Sequence, residues 1–294
     1  MIELRTVGAD AFEEILPLLL LFRNRRMSRE DWRRMLFDHP WSDDSPRGFA
    51  IYDGGRAVGF LGTIYATRLL AGRREKVCNF SSWIVEEPYR GASAMLMRKM
   101  VKELGGLTLM GHTPHPTTIG VFTLLGFRPF EQESLLLFPA PGLRFATSLL
   151  QGTIALGPGM PLDALDEEER RIVQDAAPYP HVCSALLQRG GRRCLLVARL
   201  ERPREIRFPR GVRTAELLYV GDRDFFWDNR ELAHLAFLRG LGTIAVSIDL
   251  RLAEGRRIPG AIRIPRPRLF RPSRPEISPM ELDGLYSELL ALQE

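Results

Sequence analysis

The chain has 294 residues, 45% of them hydrophobic and 26% charged, and a formal net charge of +5. That balance excludes a disordered or collagen-like chain and leaves room for a full buried core in one large or two ordinary domains. The basic excess suits an anionic small molecule. Neither zinc-finger spacing nor an RNA-binding aromatic signature accompanies it, so nucleic acid is not the expected partner.

Cys78, Cys183 and Cys194 lie far apart and form no CxxC pair. This usage fits a reducing cytoplasm and calls for no metal. Ile15–Phe22 (ILPLLLLF) is the most apolar run, far short of the ~20 residues that span a bilayer. Glu13 and Glu14 stand before it, where a signal peptide carries positive charge. It reads as a buried helix with Pro17 in its first turns or at a kink.

Taken in order, Met1–Val7 predicts a strand, and Ala9–Phe22 and Ser28–Phe37 predict helices. Ser28-x-x-Asp31 is a capping-box pattern. Gly48–Tyr52 and Arg56–Ala66 read as strands joined by a hairpin at Asp53-Gly54-Gly55. A turn at Ala71–Glu75 leads to the strand Lys76–Val85. Ser93–Leu104 places apolar residues at 96, 97, 100, 101 and 104, which is helical periodicity, and Gly105-Gly106 stops it. Leu107–Gly111 is a strand, Pro116–Leu125 a helix and Gly126–Leu137 a last strand.

The pattern then returns at an offset of 136 residues: Gly54-Gly55-Arg56 recurs as Gly190-Gly191-Arg192 between the apolar strands Cys183–Leu187 and Cys194–Leu200. The strand Ser82–Val85 falls on Leu218–Gly221, the helix Ser93–Leu104 on Arg230–Gly240, and Leu107–Met110 on Thr243–Val246. With a few more residues inserted, Phe127-Arg128-Pro129 recurs as Phe270-Arg271-Pro272. This is an internal duplication by pattern rather than identity. Two domains follow, 1–138 and 139–294, with the Pro/Gly-rich link Phe138–Gly142 between them. Arg256–Pro275 holds seven arginines and five prolines, which predicts a basic loop plus an edge strand. Met280–Leu292 predicts a closing amphipathic helix.

The centre of the chain is Lys76–Gly106. A strand, a tight turn with Arg90-Gly91 and a helix start meet there, which suits a phosphate group. With Tyr89-Arg90-Gly91 at that turn and Val121–Phe127 (VFTLLGF) before the last strand, Ile2–Leu137 resembles the GNAT superfamily of acyl-CoA-dependent N-acyltransferases. The fold class implied is α/β with an α+β mixed sheet, in two tandem GNAT-like domains. The resemblance implies that acetyl-CoA or another acyl-CoA is the co-substrate. Its diphosphate would sit on the backbone of Arg90, Gly91, Ala92, Ser93 and Ala94, and its pantetheine on the carbonyls of Ile84 and Val85. Ser93 and Met95 stand where the family has small residues or glycine. Phe122 stands where the family often has a tyrosine that protonates the leaving thiolate, and His115 where it often has asparagine.

Glu86 at the strand end and His115 in the loop after the next strand are the candidate catalytic residues, as general base or acid. Asn79, Ser81 and Trp83 alternate onto one strand face and, with His112, are the candidate substrate contacts. The acceptor would be a small-molecule amine or a peptide. The alternatives are a non-catalytic acyl-CoA-binding regulator and a transferase that docks an acyl carrier protein on its basic segment. A homodimer is compatible with either. The second half has Phe226-Trp227-Asp228-Asn229-Arg230 at the turn position, with bulky rings and no glycine. It is expected to bind no cofactor.

Overall fold

The computed structural model describes residues 2–24, 26–41, 45–139, 146–147, 150–202 and 213–292. The chain divides into two units. Unit 1 is Met1–Phe130 with Pro267–Leu282 and Tyr286–Leu292; unit 2 is Glu131–Arg266 with Asp283–Leu285 and Gln293–Glu294. The units are therefore not contiguous in sequence, because the last strand returns to unit 1. The expected link at Phe138–Gly142 lies in part outside the described residues.

Unit 1 begins with β1 (Ile2–Val7), α1 (Phe12–Leu20) and α2 (Arg29–Leu36). The capping box at Ser28 and Asp31 forms as expected and fixes the start of α2. Next come β2 (Gly48–Asp53), β3 (Arg56–Leu70) and β4 (Arg73–Val85). Gly54 and Gly55 have φ of +57° and +83°, the left-handed pair that a two-residue hairpin turn requires. After a 3-10 turn at Glu87–Ala92 come α3 (Ser93–Glu103), β5 (Thr108–Gly111) and α4 (Pro116–Leu124). Strands β1 to β4 pair antiparallel in order, and β4 pairs parallel with β5.

The chain crosses into unit 2 in β6 (Arg128–Leu137). There follow β7 (Thr153–Leu156), α5 (Glu167–Ala176), β8 (Val182–Arg189), β9 (Arg192–Glu201) and β10 (Thr214–Val220). Then come α6 (Arg223–Asp228), α7 (Arg230–Leu241) and β11 (Ala245–Asp249). Strands β7 to β10 pair antiparallel, β10 pairs parallel with β11, and β11 pairs antiparallel with β6. The last strand is β12 (Ile262–Arg271), whose Leu269–Arg271 pairs antiparallel with β5. Each unit thus has the same succession of strand senses, and each is completed by the final strand of the other half of the sequence.

Unit 1 buries Phe80, Leu96, Met97, Met100, Phe122 and Phe127 between α3, α4 and one sheet face. The other face carries α1 and α2, where a ring ladder runs from Phe12 through Phe37 to Phe60, at 5.2 and 6.3 Å. Gly62 of β3 is needed there, since a Cβ would lie 2.8 Å from Leu36 Cδ2. No helix among the described residues is long and apolar enough to cross a membrane.

The expected closing helix over Met280–Leu292 does not form. The segment is a 3-10 turn at Pro279–Glu281 and one helical turn, α8 (Glu288–Ala291). Asp283 takes the Leu285 N–H at 2.9 Å, and Tyr286 sits at φ +53°. A local side-chain acceptor and a left-handed residue both interrupt a helix. A chain ending at Phe138 lacks β12, which closes the unit 1 sheet. We expect it to be insoluble or to lack cooperative unfolding by circular dichroism, and we expect linking residues 267–292 back onto Phe130 to restore the transition.

Candidate functional site

The site is built on β4. Along β3 it pairs over its whole length, from Arg73 opposite Leu70 to Val85 opposite Gly59. Along β5 it pairs only at Val77, Cys78 and Asn79. Beyond Asn79 the two parallel strands part, and the β5-facing main-chain groups of the strand end have no partner in that ladder. The cause is a bulge. Ser82 lies at φ +57°, and the register with β3 shifts between Phe60 and Gly62. An inserted residue bends its strand and increases the local twist.

The bulge also changes which side chains share a face. Cys78 and Phe80 point to the α3–α4 core, and beyond the bulge so do Trp83 and Val85. The expected alternation of Asn79, Ser81 and Trp83 onto one face therefore fails at Trp83. Its ring meets Phe122 edge-on at 6.0 Å in that core. Asn79 and Ser81 are buried but stand outside that core cluster. Burial pushes the Cys78 thiol well above its ordinary range, which leaves it protonated and unsuited to nucleophilic attack.

Ile84 and Val85 end the strand, half-buried, and Glu86 follows. The turn after them is tied to the β2–β3 hairpin. Arg56 donates twice to Glu86, at 2.5 and 2.8 Å, and the Tyr89 hydroxyl donates to Asp53 at 2.9 Å. The Arg56 hydrogen bonds hold the Glu86 carboxyl below its usual range, which makes Glu86 a weaker base and an anchor for the turn.

Arg90 and Gly91 are exposed, Ala92 and Ser93 half-buried and Ala94 exposed. A Cβ on Gly91 would meet nothing within 4 Å, so the space over this backbone is open. Ser93 is the first residue of α3 rather than its cap. Ala92 precedes it without a capping side chain, and the first turn of α3 holds no acid. The 3-10 turn at Glu87–Ala92 runs straight into α3, and Arg90 O accepts the Ser93 N–H. Met95 points to solvent, 54% exposed, and does not cover the turn.

Phe122 is buried against Phe80, Trp83 and Phe127 and carries no proton to give. His115 is the N-cap of α4; its Nδ1 lies 2.8 Å from Thr117 Oγ1 and accepts the Thr117 N–H at 3.4 Å. Accepting that N–H requires Nδ1 to be unprotonated, so the neutral, exposed ring carries its proton on Nε2 and the Thr117 hydroxyl donates to Nδ1. His112 is buried, edge-on to Phe130 at 5.5 Å.

Two residues of this region carry no sequence signal. Glu288 of α8 accepts hydrogen bonds from Asn79 Nδ2 and, at 2.7 Å, from Thr113 Oγ1. A carboxylate 209 positions from its partner is invisible to any local pattern. Among the described residues no cluster of His, Cys, Asp and Glu could hold a metal.

The sequence matches no protein-family model and no curated protein. Solved structures share the fold. A GCN5-related N-acetyltransferase from Anabaena variabilis aligns with a TM-score of 0.57 at 11% identity, over 93% of this chain and 73% of that one. A putative acetyltransferase from Pyrococcus horikoshii gives 0.55 at 13%, over 97% and 95%. A GCN5-related N-acetyltransferase from Sphaerobacter thermophilus gives 0.51 at 14%, over 97% and 98%. The fold is thus that of the GCN5-related N-acetyltransferases, as the sequence led us to expect.

Glu86 titrates in the folded chain below its unfolded value. The stability from its Arg56 contact is therefore present at neutral pH and lost as pH falls through the folded value. The pair is largely exposed, so Arg56→Ala should cost less than about 1 kcal/mol in urea unfolding at neutral pH. The difference from wild type should vanish in acid.

Proposed function

We propose that unit 1 binds acetyl-CoA or a longer acyl-CoA and passes the acyl group directly to an amine. The observation that carries this reading is the parting of β4 from β5 next to a turn with open space over Gly91. The split leaves strand groups at Ile84 and Val85 for the amides of a pantetheine arm. A diphosphate would sit at Arg90, Gly91, Ala92, Ser93 and Ala94, where the space over Gly91 is open. The shared fold supports the same reading.

In this reading the amine nitrogen attacks the thioester carbonyl carbon, the carbon–sulfur bond breaks, and the thiolate leaves. A β4 N–H steadies the oxygen as it gains charge. The ammonium proton must be lost before attack. Glu86 is already held by Arg56, which leaves the exposed His115 ring as the candidate to accept it. Phe122 gives no proton to the sulfur, and a thiolate leaves well enough for positioning to suffice.

The two units would be copies of one ancestor. In unit 2 the turn position is filled by Phe225, Phe226 and Trp227, all buried in that unit's core. No backbone cradle is left, so unit 2 would serve as scaffold. In the basic segment Arg266 pairs with Glu201 and Glu216 at 2.5 and 2.9 Å, and Arg274 with Glu75 at 2.7 Å. Arg256, Arg257 and Arg263 are exposed, and these are the cations on which the carrier-protein alternative rests.

Calorimetry with acetyl-CoA, followed by a thiol-release assay on a panel of amines, tests the proposal. Gly91→Asp should fold with an unchanged melting temperature, since the site is open, and lose acetyl-CoA affinity by tenfold or more, about 1.4 kcal/mol. Unchanged affinity in that variant would refute the placement. Binding without turnover on any amine would favour the regulatory reading.

A further inference from the structure

The end of α1 exposes three apolar residues in a row. Leu20, Leu21 and Phe22 are 56%, 51% and 41% exposed. A lone apolar residue on a surface is ordinary, but adjoining ones mark a contact surface. The backbone here is ordered by its own hydrogen bonds. The N–H groups of Leu21, Phe22 and Arg23 bond back to the carbonyls of Leu18, Leu19 and Leu20. The run thus prolongs the helix until Arg23 leaves it at φ +52°. The Phe22 ring lies on the buried Trp32 of α2 at 5.7 Å, which fixes it in place. The charge beside this run has one sign. From Leu20 to Arg34 the sequence has arginine at 23, 25, 26, 29, 33 and 34, and acids only at 30 and 31. Asp31 is taken by the Ser28 capping box. Arg29 pairs with Glu13, and Arg33 with Asp38 at 2.5 Å. The exposed side chains of Arg23 and Arg26 have no acidic partner among the described residues. Glu13 and Glu14 stand at the other end of α1, about 9 Å or more along its axis from Leu20.

We propose that this corner of unit 1 docks on the surface of an anionic lipid bilayer. Leu20, Leu21 and Phe22 enter the boundary between headgroups and acyl chains, and Arg23 and Arg26 stay at the phosphates. A helix end enters such a boundary without a groove to receive it. The two halves of the patch select the partner together. Apolar side chains alone would suit a neutral bilayer equally, and unpaired cations alone would suit any anion. Side by side, they match a surface that is negative at its face and apolar just beneath. With one short run and two cations the association is weak and reversible. The inference does not depend on the acyl-transfer reading.

The test is co-sedimentation of the full chain with vesicles. One set mixes phosphatidylglycerol with phosphatidylcholine, and the other is phosphatidylcholine alone. The chain should sediment with the anionic set, release as salt is raised, and leave the neutral set unbound. Arg26→Gln should weaken the association about fivefold, the equivalent of about 1 kcal/mol per cation at the surface. Adding Arg23→Asn should bring the loss to about twentyfold or more, and asparagine tolerates the left-handed backbone at that position. Leu20→Gln with Leu21→Gln removes only exposed side chains. The melting temperature should hold while the association falls about tenfold or more. Leu124→Gln, at a lone exposed leucine of α4, is the control and should sediment like wild type. No sedimentation with the anionic set, equal sedimentation with the neutral set, or wild-type sedimentation by the folded leucine and arginine variants would overturn the inference. So would a wild-type dimer in sedimentation velocity that the leucine pair converts to a monomer, because a second copy would then cover the patch.

Discussion

One left-handed serine sets the geometry of unit 1. A non-glycine residue at φ +57° is costly on its own and persists only where its surroundings hold it. Here β3 holds it, pairing with β4 on both sides of the bulge. Two consequences follow from that single insertion. The strand bends away from β5, opening a gap whose edge is main chain. The side-chain alternation also slips by one, so that Trp83 and Val85 enter the core beside Phe80 while Asn79 and Ser81 stay outside that cluster. A regular strand would give neither the gap nor this division of side chains.

The opening is useful only if the helix start beside it stays in place. The buried ridge of Leu96, Met97, Met100 and Val101 fastens α3 to the sheet. The Arg56–Glu86 and Asp53–Tyr89 contacts fasten the turn to the hairpin below. Polar side chains near the turn are thus committed to holding its backbone. That explains why the turn can leave Gly91 uncovered and the first turn of α3 without a cap. It also explains why a carboxylate at the strand end makes a poor base.

Much of this was legible in the residues, and the failures share a cause. The hairpins at Gly54-Gly55 and Gly190-Gly191 and the capping box at Ser28 are local chemistry, and local pattern found them. The bulge was not legible, since Ser81-Ser82 carries no signal for a left-handed residue, and the alternation rule then placed Trp83 on the wrong face. The 3-10 turn at Glu87–Ala92, which starts the helical path before Ser93, carried no local signal either. The final segment looked amphipathic because Leu282, Leu285, Tyr286, Leu289 and Leu290 fall at i, i+3, i+4, i+7 and i+8. All five are buried, yet the Asp283 acceptor and the left-handed Tyr286 break the helix that would carry them. Glu288 joins Asn79 only through the tertiary fold.

Unit 2 repeats the strand senses of unit 1, and β10 also shifts register, between Leu217 and Tyr219, where it leaves β11. The bulge alone therefore does not make a site; what differs is the turn, open at Gly91 in one unit and packed with Phe225, Phe226 and Trp227 in the other. The most direct measurement is a crystal structure grown with acetyl-CoA. The account predicts diphosphate density against the first-turn amides of α3 and a pantetheine arm lying between β4 and β5. Density for the nucleotide elsewhere, or a ligand-free gap between those strands at saturating acetyl-CoA, would contradict it.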